Sequence, residues 1–444
     1  MKYNTITAAV FILIGSFFGY QVQAQQAKTL TLREAIDLSI KNSKQLKVNA
    51  ARILEATAAV QEANERRLPE AGASATYLYL PVRPTINLKT GSDTSGSASS
   101  SNRTPAIHQA MLGMLSASLP LYTGGKLKYG IESAKYLEQA VKLDNDHDSN
   151  LVLLNVINAC INLYKAYQAI DLVNENLKQS QQRVADLSNL EKNGLLARND
   201  LLKAQLQSSN IELTLADAES NYKLASVNMN IMMGLPEQTV LIPDKSGLAL
   251  PQSIKTLEEY EAAALQNRKD IEALSFRKKA ASTNVDIARS DYYPNIALTG
   301  GYVAANIPQF LTITNAVNIG VGVKYDIASL WKTKTKIQQA KLKVQEISAN
   351  EEMLNDNIRI DINRAYQSYL VGQKKIEVYE KAIEQANENY RITNNKYKND
   401  LATLTEVLDA DVAVLQTNLS VTNAKADLFL TYNRLLQAAG ILKY

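Results

Sequence analysis

The sequence has few of the residues that build disulfides, redox centres or metal sites. Its 444 residues include one cysteine, Cys160, and two histidines, His108 and His147. A single cysteine cannot form an intramolecular disulfide, and so few soft ligands leave little for a transition-metal site. Because Cys160 lies in an apolar run, we expect its thiol to be buried and inert. We therefore expect no cofactor and no bound metal.

Strong net charge and catalytic motifs are also missing. The 48 basic and 44 acidic residues leave a formal net charge of +4, and no basic face or arginine-rich arm indicates nucleic-acid binding. The segment Gly124-Gly125-Lys126 lacks the earlier glycine and the following Ser or Thr of a phosphate-binding loop. No Gly-x-Ser-x-Gly, His-Glu-x-x-His or Cys-x-x-Cys occurs. We expect a protein that is not an enzyme.

Long apolar runs are absent after the first residues. Lys2, the apolar stretch Ala8–Tyr20 and the small-residue site at Ala24 have the order of a signal peptide, so residues 1–24 are predicted to be one. Beyond them no uninterrupted apolar run approaches the ~20 residues that a membrane helix needs. This pattern predicts an exported protein in the periplasm, outside the cell, or in an outer membrane that it crosses with strands.

Proline is absent between Trp331 and Tyr444, and a long helical pattern lies within that stretch. Apolar and small residues recur there at alternating steps of four and three: Ile358, Ile362, Ala365, Tyr369, Gly372, Ile376, Tyr379, Ile383, Ala386, Tyr390, Thr393 and Tyr397. This period of 3.5 predicts a supercoiled helix with one narrow seam. A helix over about 332–398 would be about 100 Å long, so rods of similar length must lie beside it.

The two halves of the chain share landmarks at a constant offset. Thr31 and Thr256 open similar segments, and Pro69 and Pro294 end the helical patterns that follow. We interpret this as a duplicated unit, with a first repeat at 25–235, a connector at 236–254 and a second repeat at 255–444.

Each repeat is predicted to hold a strand pair, a very long helix and a shorter helix. The predicted bounds are strands at about 71–82 and 110–122 with helices at about 126–192 and 198–233, then strands at about 295–303 and 316–326 with helices at about 332–398 and 404–438.

The last predicted strand has the clearest alternation in the chain. Its residues fall into two sets: Val317, Ile319, Val321, Val323 and Tyr325 face one way, and Asn318, Gly320, Gly322 and Lys324 face the other. The pattern suits a wall with lipid on one side and water on the other, although a soluble two-sheet domain would show it too. Four strands cannot close a spanning barrel, and open edges are not tolerated in lipid. If the strands span a membrane, several chains must share one barrel.

Several motifs, in this order and spacing, resemble the TolC-type outer membrane efflux proteins. They are the Thr-Leu-x-Glu-Ala opening at Thr31, the helix-ending Pro69 and Pro294, the Pro120–Lys126 corner and the acidic segment Glu406–Ala410. The resemblance covers nearly the whole mature chain. It implies a mainly α fold with a small membrane β part: long coiled-coil helices form an α-helical barrel, continued by a 12-stranded β-barrel that three chains share.

The resemblance also implies a function and partners. The protein would be a homotrimer in the cell outer membrane, in contact with its lipid, with helices extending into the periplasm. It would serve as the exit duct of a tripartite efflux or type I secretion system. An inner-membrane pump would drive transport through a periplasmic adaptor, a membrane fusion protein.

Two groups of site residues follow from the resemblance. The adaptor-docking tips would be Asn193, Gly194 and Leu195 in the first repeat and Asn399, Asp400 and Leu401 in the second. The periplasmic gate ring would consist of Glu406 and Asp409, which share a helix face, together with Tyr397. The chain departs from the family pattern at Asn193, at Asp400, where a glycine is lost, and at Ala402, where the family has a basic residue.

One alternative from another class stays open at this stage. A soluble periplasmic coiled-coil adaptor or scaffold would explain the signal peptide and the heptads without membrane contact. The four strands and the duplication argue against it, because such an adaptor would carry a compact β domain and a single helical hairpin.

Overall fold

The computed structural model describes residues 28–82, 107–244, 253–308 and 310–443. The predicted signal peptide and part of the predicted connector lie outside these residues. The helices are α1 (Leu32–Asn42), α2 (Lys44–Glu65), α3 (Lys126–Lys192), α4 (Arg198–Met233), α5 (Leu257–Asn267), α6 (Lys269–Ser290), α7 (Ser329–Lys398) and α8 (Leu404–Ala438). The strands are β1 (Lys28–Leu30), β2 (Glu70–Tyr79), β3 (Gln109–Tyr122), β4 (Leu241–Pro243), β5 (Asn295–Ile307) and β6 (Leu311–Lys324).

The helices of the two halves match in length and order. The pairs α1 and α5 have 11 residues each, and α2 and α6 have 22 each. Helices α3 and α7 have 67 and 70 residues, and α4 and α8 have 36 and 35. Both halves also start alike, because Thr31 and Thr256 each accept a hydrogen bond from the backbone amide three residues on and cap the helix that follows.

The chain divides into two compact units. The hairpin unit comprises the described parts of Met1–Val48, Asp146–Arg268 and Asp356–Tyr444, and the sheet unit comprises those of Asn49–Asn145 and Lys269–Asn355. None of the described helices is both long and apolar enough to be a candidate membrane span.

In the sheet unit, four antiparallel strands lie in the order β2-β3-β5-β6. Apolar and small side chains meet across the strands on one face, as in the row Ala73, Leu115, Tyr302 and Val317. The alternation along β6 leaves its apolar side chains exposed, and Ile319 is 85% exposed. A broad apolar face is therefore open on this sheet.

The strand bounds differ from the predicted ones in the second pair. Strand β5 continues to Ile307 and β6 begins at Leu311, whereas the sequence pattern predicts an end at about 303 and a start at about 316. Pairing resumes beyond an irregularity between Val303 and Ala305, which shifts the register by one residue. A bulge of this kind extends a ladder past the point where strict alternation ends, and therefore hides it from a period-2 pattern.

In the hairpin unit, the predicted seam of α7 is the side that packs. All twelve seam residues are buried or half-buried. Tyr369 is 1% exposed, and its ring centroid lies 5.9 Å from that of Tyr432 on α8. A Cβ on Gly372 would lie 2.9 Å from Leu428 Cδ1, so the absence of a side chain permits close packing at this point. A core cluster of this unit includes Ile157 and Met229 and joins α3 to α4.

Cys160 lies beside this cluster. Its Sγ is 3.8 Å from Sδ of Met229, and burial raises the pKa of the thiol to about 12. A thiol with such a pKa is protonated at neutral pH and is a poor nucleophile.

Candidate functional site

The ends of the two long hairpins carry the predicted docking residues, and both ends have the same backbone motif. The amide of Leu195 donates to the carbonyl of Leu190 at 2.9 Å, and that of Leu401 donates to the carbonyl of Lys396 at 2.8 Å. With the bonds that Gly194 and Asp400 donate one residue earlier, these contacts form a Schellman motif at each helix end.

The Schellman motif needs a left-handed residue, and the two hairpins supply it differently. Gly194 has φ 71°, whereas the equivalent residue of the second hairpin is Asp400 with φ 57°. Aspartate enters this region more readily than most residues because its short side chain bonds locally. The turn therefore forms although Asp400 occupies the position where the family has a glycine.

Both tips end in an exposed leucine. Leu195 is 74% exposed and Leu401 is 77% exposed. The other predicted docking residues, Asn193, Gly194, Asn399 and Asp400, are exposed as well. Paired exposed leucines on ordered turns are apolar contacts available to a partner.

The two hairpins pack against each other just behind these turns. A buried cluster joins α3, α4 and α8 through Leu187, Leu201, Ala204, Leu404 and Leu408. Tyr397, predicted to belong to the gate, is half-buried against this cluster. Burial raises the pKa of Tyr397, and the charges of Asp200 and Asp400 raise it further. The phenol therefore stays neutral at all physiological pH values.

Glu406 has a local partner that the sequence analysis did not assign. Its Oε2 accepts hydrogen bonds from the amide of Thr403 at 2.7 Å and from the Thr403 hydroxyl at 3.1 Å, while the Glu406 amide donates to Thr403 Oγ1 at 3.4 Å. This is a capping box at the start of α8. The backbone hydrogen bond from Thr403, followed by its hydroxyl, lowers the pKa of Glu406.

Asp409 lies three residues further along α8 and is exposed, as Glu406 is. The two carboxylates therefore share a solvent-facing side of α8 behind the tip. Among the residues that the structure describes, no group of His, Cys, Asp or Glu is arranged to hold a metal ion.

A buried polar network lies one turn further from the tip, and sequence reasoning missed it. Arg183 on α3 donates to Asp411 Oδ2 on α8 at 2.9 Å and to the hydroxyl of Tyr390 on α7 at 3.0 Å. Asn176 donates to Asp411 Oδ1 at 3.4 Å. Burial lowers the pKa of Arg183, but the hydrogen bond and charge of Asp411 outweigh it, so the pKa is raised.

A sequence signal for this network exists. Asp411 lies in the heptad row of Leu404, Leu408 and Leu415, where an apolar residue is expected. A charge at such a position needs a buried partner, because isolated burial would be costly. The sequence does not say which residue that partner is.

The chain is similar in sequence to outer membrane proteins. A family profile described as outer membrane efflux protein matches residues 81–235 and 262–441. The outer membrane efflux protein BepC of Brucella suis biovar 1 (strain 1330) is 24% identical over 351 residues, covering 77% of this chain and 75% of BepC. The cation efflux system protein CusC of Escherichia coli O157:H7 is 24% identical over 424 residues, covering 89% of this chain and 82% of CusC.

A crystal structure of CusC has the same fold. It superposes with a TM-score of 0.75 at 18% identity, covering 92% of this chain and 92% of the other. At this identity the likeness establishes the fold alone: a mainly α protein with very long helices and a small β part.

Proposed function

The chain belongs to the outer membrane efflux protein family, and we propose that three copies of it form the exit duct of a tripartite efflux or type I secretion system. Family membership places it in the outer membrane, and this replaces the alternative of a soluble periplasmic scaffold. The duct is passive. It catalyses no reaction, and transport is driven by an inner-membrane pump reached through a periplasmic adaptor.

The sheet is the observation that carries this proposal. Val317 and Ile319 on its apolar face are 76% and 85% exposed, as a lipid-facing wall requires. Within the described residues, β2 pairs only with β3 and β6 only with β5, so each has one open edge. Lipid offers no hydrogen bonds to such edges. Pairing of β6 with β2 of the next copy supplies them, and three copies make a closed barrel of 12 strands.

The long hairpins form the periplasmic part of the duct. A helix of 67 residues is about 100 Å long, a length that suits a wall crossing the periplasm. The exposed tips at Leu195 and Leu401 dock the adaptor. Glu406 and Asp409 repeat three times around the axis and form a ring of carboxylates at the mouth, and Tyr397 holds the mouth from behind.

Membrane fractionation followed by mass determination tests the proposal. We expect the protein at outer-membrane density in a sucrose gradient, and a detergent extract kept unheated should have the mass of three chains. Recovery of a monomer in the soluble periplasmic fraction would contradict the shared barrel, and the gate and tip assignments would be lost with it.

A further inference from the structure

A groove in the sheet unit lies where the sheet meets the helices, and the duct function does not use it. We call it the corner groove. It has a volume of about 680 Å³, and its wall includes Arg67, Leu121, Tyr122, Lys128, Ile131 and Lys135. The chain leaves β3 at Tyr122 and enters α3 at Lys126, so the groove occupies the boundary between strand and helix.

One side of the corner groove is basic. Lys128 and Lys135 are seven residues apart on α3 and therefore share a helix face, and Arg67 adds a third cation from the end of the preceding helical segment. In the part of the chain that the structure describes, none of the three forms a salt bridge. Glu132 is the acidic residue in the wall, and it accepts the hydroxyl of Tyr136 at 3.0 Å. Within the wall itself, three cations and one carboxylate leave a net charge of +2. Lys135 also interacts with the charge of Glu138, a carboxylate that already forms a salt bridge with Lys142 at 2.8 Å.

The neighbouring cations of the same unit are neutralised instead. Asp291 binds Lys126 at 3.0 Å and Lys336 at 2.7 Å, one with each carboxylate oxygen. Burial opposes ionisation of Asp291, but the hydrogen bonds from Lys336 and Lys126 prevail and lower its pKa. The free charge of the corner groove is therefore not a general property of this end of the helices.

The other side of the corner groove is apolar. Leu121 and Tyr122 are 57% and 45% exposed, and they continue the open apolar face of the sheet. Ile131, 8% exposed, forms part of the floor between the two lysines. A ligand that fits must have an apolar part along the sheet and an anionic head among the cations.

We infer that the corner groove binds the headgroup of an anionic phospholipid, with the acyl chains lying against Leu121 and Tyr122. Arginine and lysine pair strongly with phosphate, and tyrosine favours the membrane interface. A free phosphate ion would leave the apolar side unoccupied. The inference rests on the proposed function in one respect, namely that the sheet lies in lipid and the helices in the periplasm.

The experiment uses the full-length protein, captured from mixed micelles that contain equal amounts of phosphatidylglycerol and phosphatidylcholine. Retained lipid is quantified by mass spectrometry. We expect the wild type to retain at least about tenfold more phosphatidylglycerol than phosphatidylcholine. Each basic residue near an anionic lipid raises the affinity about fivefold. The variant R67Q/K128Q/K135Q should retain the two lipids about equally. The control K178Q/K223Q/K398Q removes the same charge from exposed sites in the hairpin unit and should keep the preference.

Salt provides a second measurement that needs no variant. The Debye screening length falls from about 10 Å at 0.1 M salt to about 3 Å at 1 M salt. The ratio of phosphatidylglycerol to phosphatidylcholine retained by the wild type should therefore fall towards one at high salt. A preference that survives high salt or the triple substitution would overturn the inference, as would equal retention by the wild type. Loss of the trimer in the triple variant alone would make the groove a contact between copies and would also overturn it.

The two proposals fail separately. A wild-type trimer at outer-membrane density with no lipid preference rejects the headgroup site and leaves the duct. If the protein is never found at outer-membrane density, the duct proposal is rejected before the lipid site is tested.

Discussion

Arg183 and Asp411 form an ion pair at 2.9 Å that joins α3 to α8, and their side chains are only 15% and 5% exposed. The same guanidinium holds the Tyr390 hydroxyl of α7. One side chain therefore connects three helices of the hairpin unit behind the predicted gate.

Breaking this pair should destabilise the hairpin unit. We expect Asp411→Leu to cost about 3 kcal/mol per chain, because it leaves the buried guanidinium without its counter-charge. The thermal midpoint of the detergent-extracted protein measures the loss. The double variant Arg183→Met/Asp411→Leu should recover most of the midpoint, since no unpaired charge remains. A double variant as unstable as the single one would show that the charge pairing is not what matters.

The exposed tip leucines should carry adaptor docking. We expect Leu195→Asp/Leu401→Asp to abolish efflux in cells, because two charges replace the apolar contacts that the turns present. The trimer should form normally, since both residues are about three-quarters exposed. Leu195→Met/Leu401→Met keeps the apolar surface and should transport normally. Full efflux by the aspartate variant would remove the tips from the docking surface.

The proposed carboxylate ring should bind multivalent cations. Glu406→Ala/Asp409→Ala is expected to weaken the block of single-channel current by trivalent cations by at least tenfold, because a ring of carboxylates in a narrow lumen attracts cations. Thr403→Ala is the matched control: it disrupts the capping box but retains both carboxylates, so the block should persist. Equal weakening by Thr403→Ala would assign the effect to the helix cap rather than to charge.

The cation block should persist to an unusually low pH. Hydrogen bonds from Thr403 lower the pKa of Glu406, so its carboxylate stays ionised below the ordinary glutamate pKa of about 4.3. The charge, and any stability that the cap adds, is present above that ordinary value and is lost as pH falls through the lowered one. Conductance block should be similar at pH 7 and pH 5 and should decline only below the ordinary pKa of a glutamate. A decline centred between pH 5 and pH 7 would contradict this assignment.

The two tip turns should respond oppositely to substitution. Gly194→Ala places a side chain in the left-handed region and should destabilise its hairpin by about 1 kcal/mol, although nothing lies near the added Cβ. Asp400→Gly relieves the same strain and should raise the thermal midpoint slightly. The midpoints of the two variants, measured under identical detergent conditions, provide the check. A destabilising Asp400→Gly would mean that the aspartate side chain stabilises its turn.

The predicted helices and strands came from periodicity, and periodicity reports which side of an element is buried. The seam from Ile358 to Tyr397 is buried or half-buried, as its pattern indicates, whereas most residues on both faces of β6 are exposed in the single chain. Contacts between residues up to four positions apart can also be predicted from the sequence. The spacing of Thr403 and Glu406 is that of a capping box, so this contact could be predicted from the sequence.

The mainly α fold class, the buried seam of α7 and the apolar side of β6 could all be predicted from the sequence, because each depends on residue spacing along a single element. The contacts between elements follow from the packing instead: Arg183 meets Asp411, Tyr397 packs on the cluster around Leu404, and three cations at the corner groove outnumber the carboxylate beside them. Which residue meets a given residue on another helix depends on the rotation and axial offset of the two helices. Side-chain spacing within either rod does not specify these two quantities.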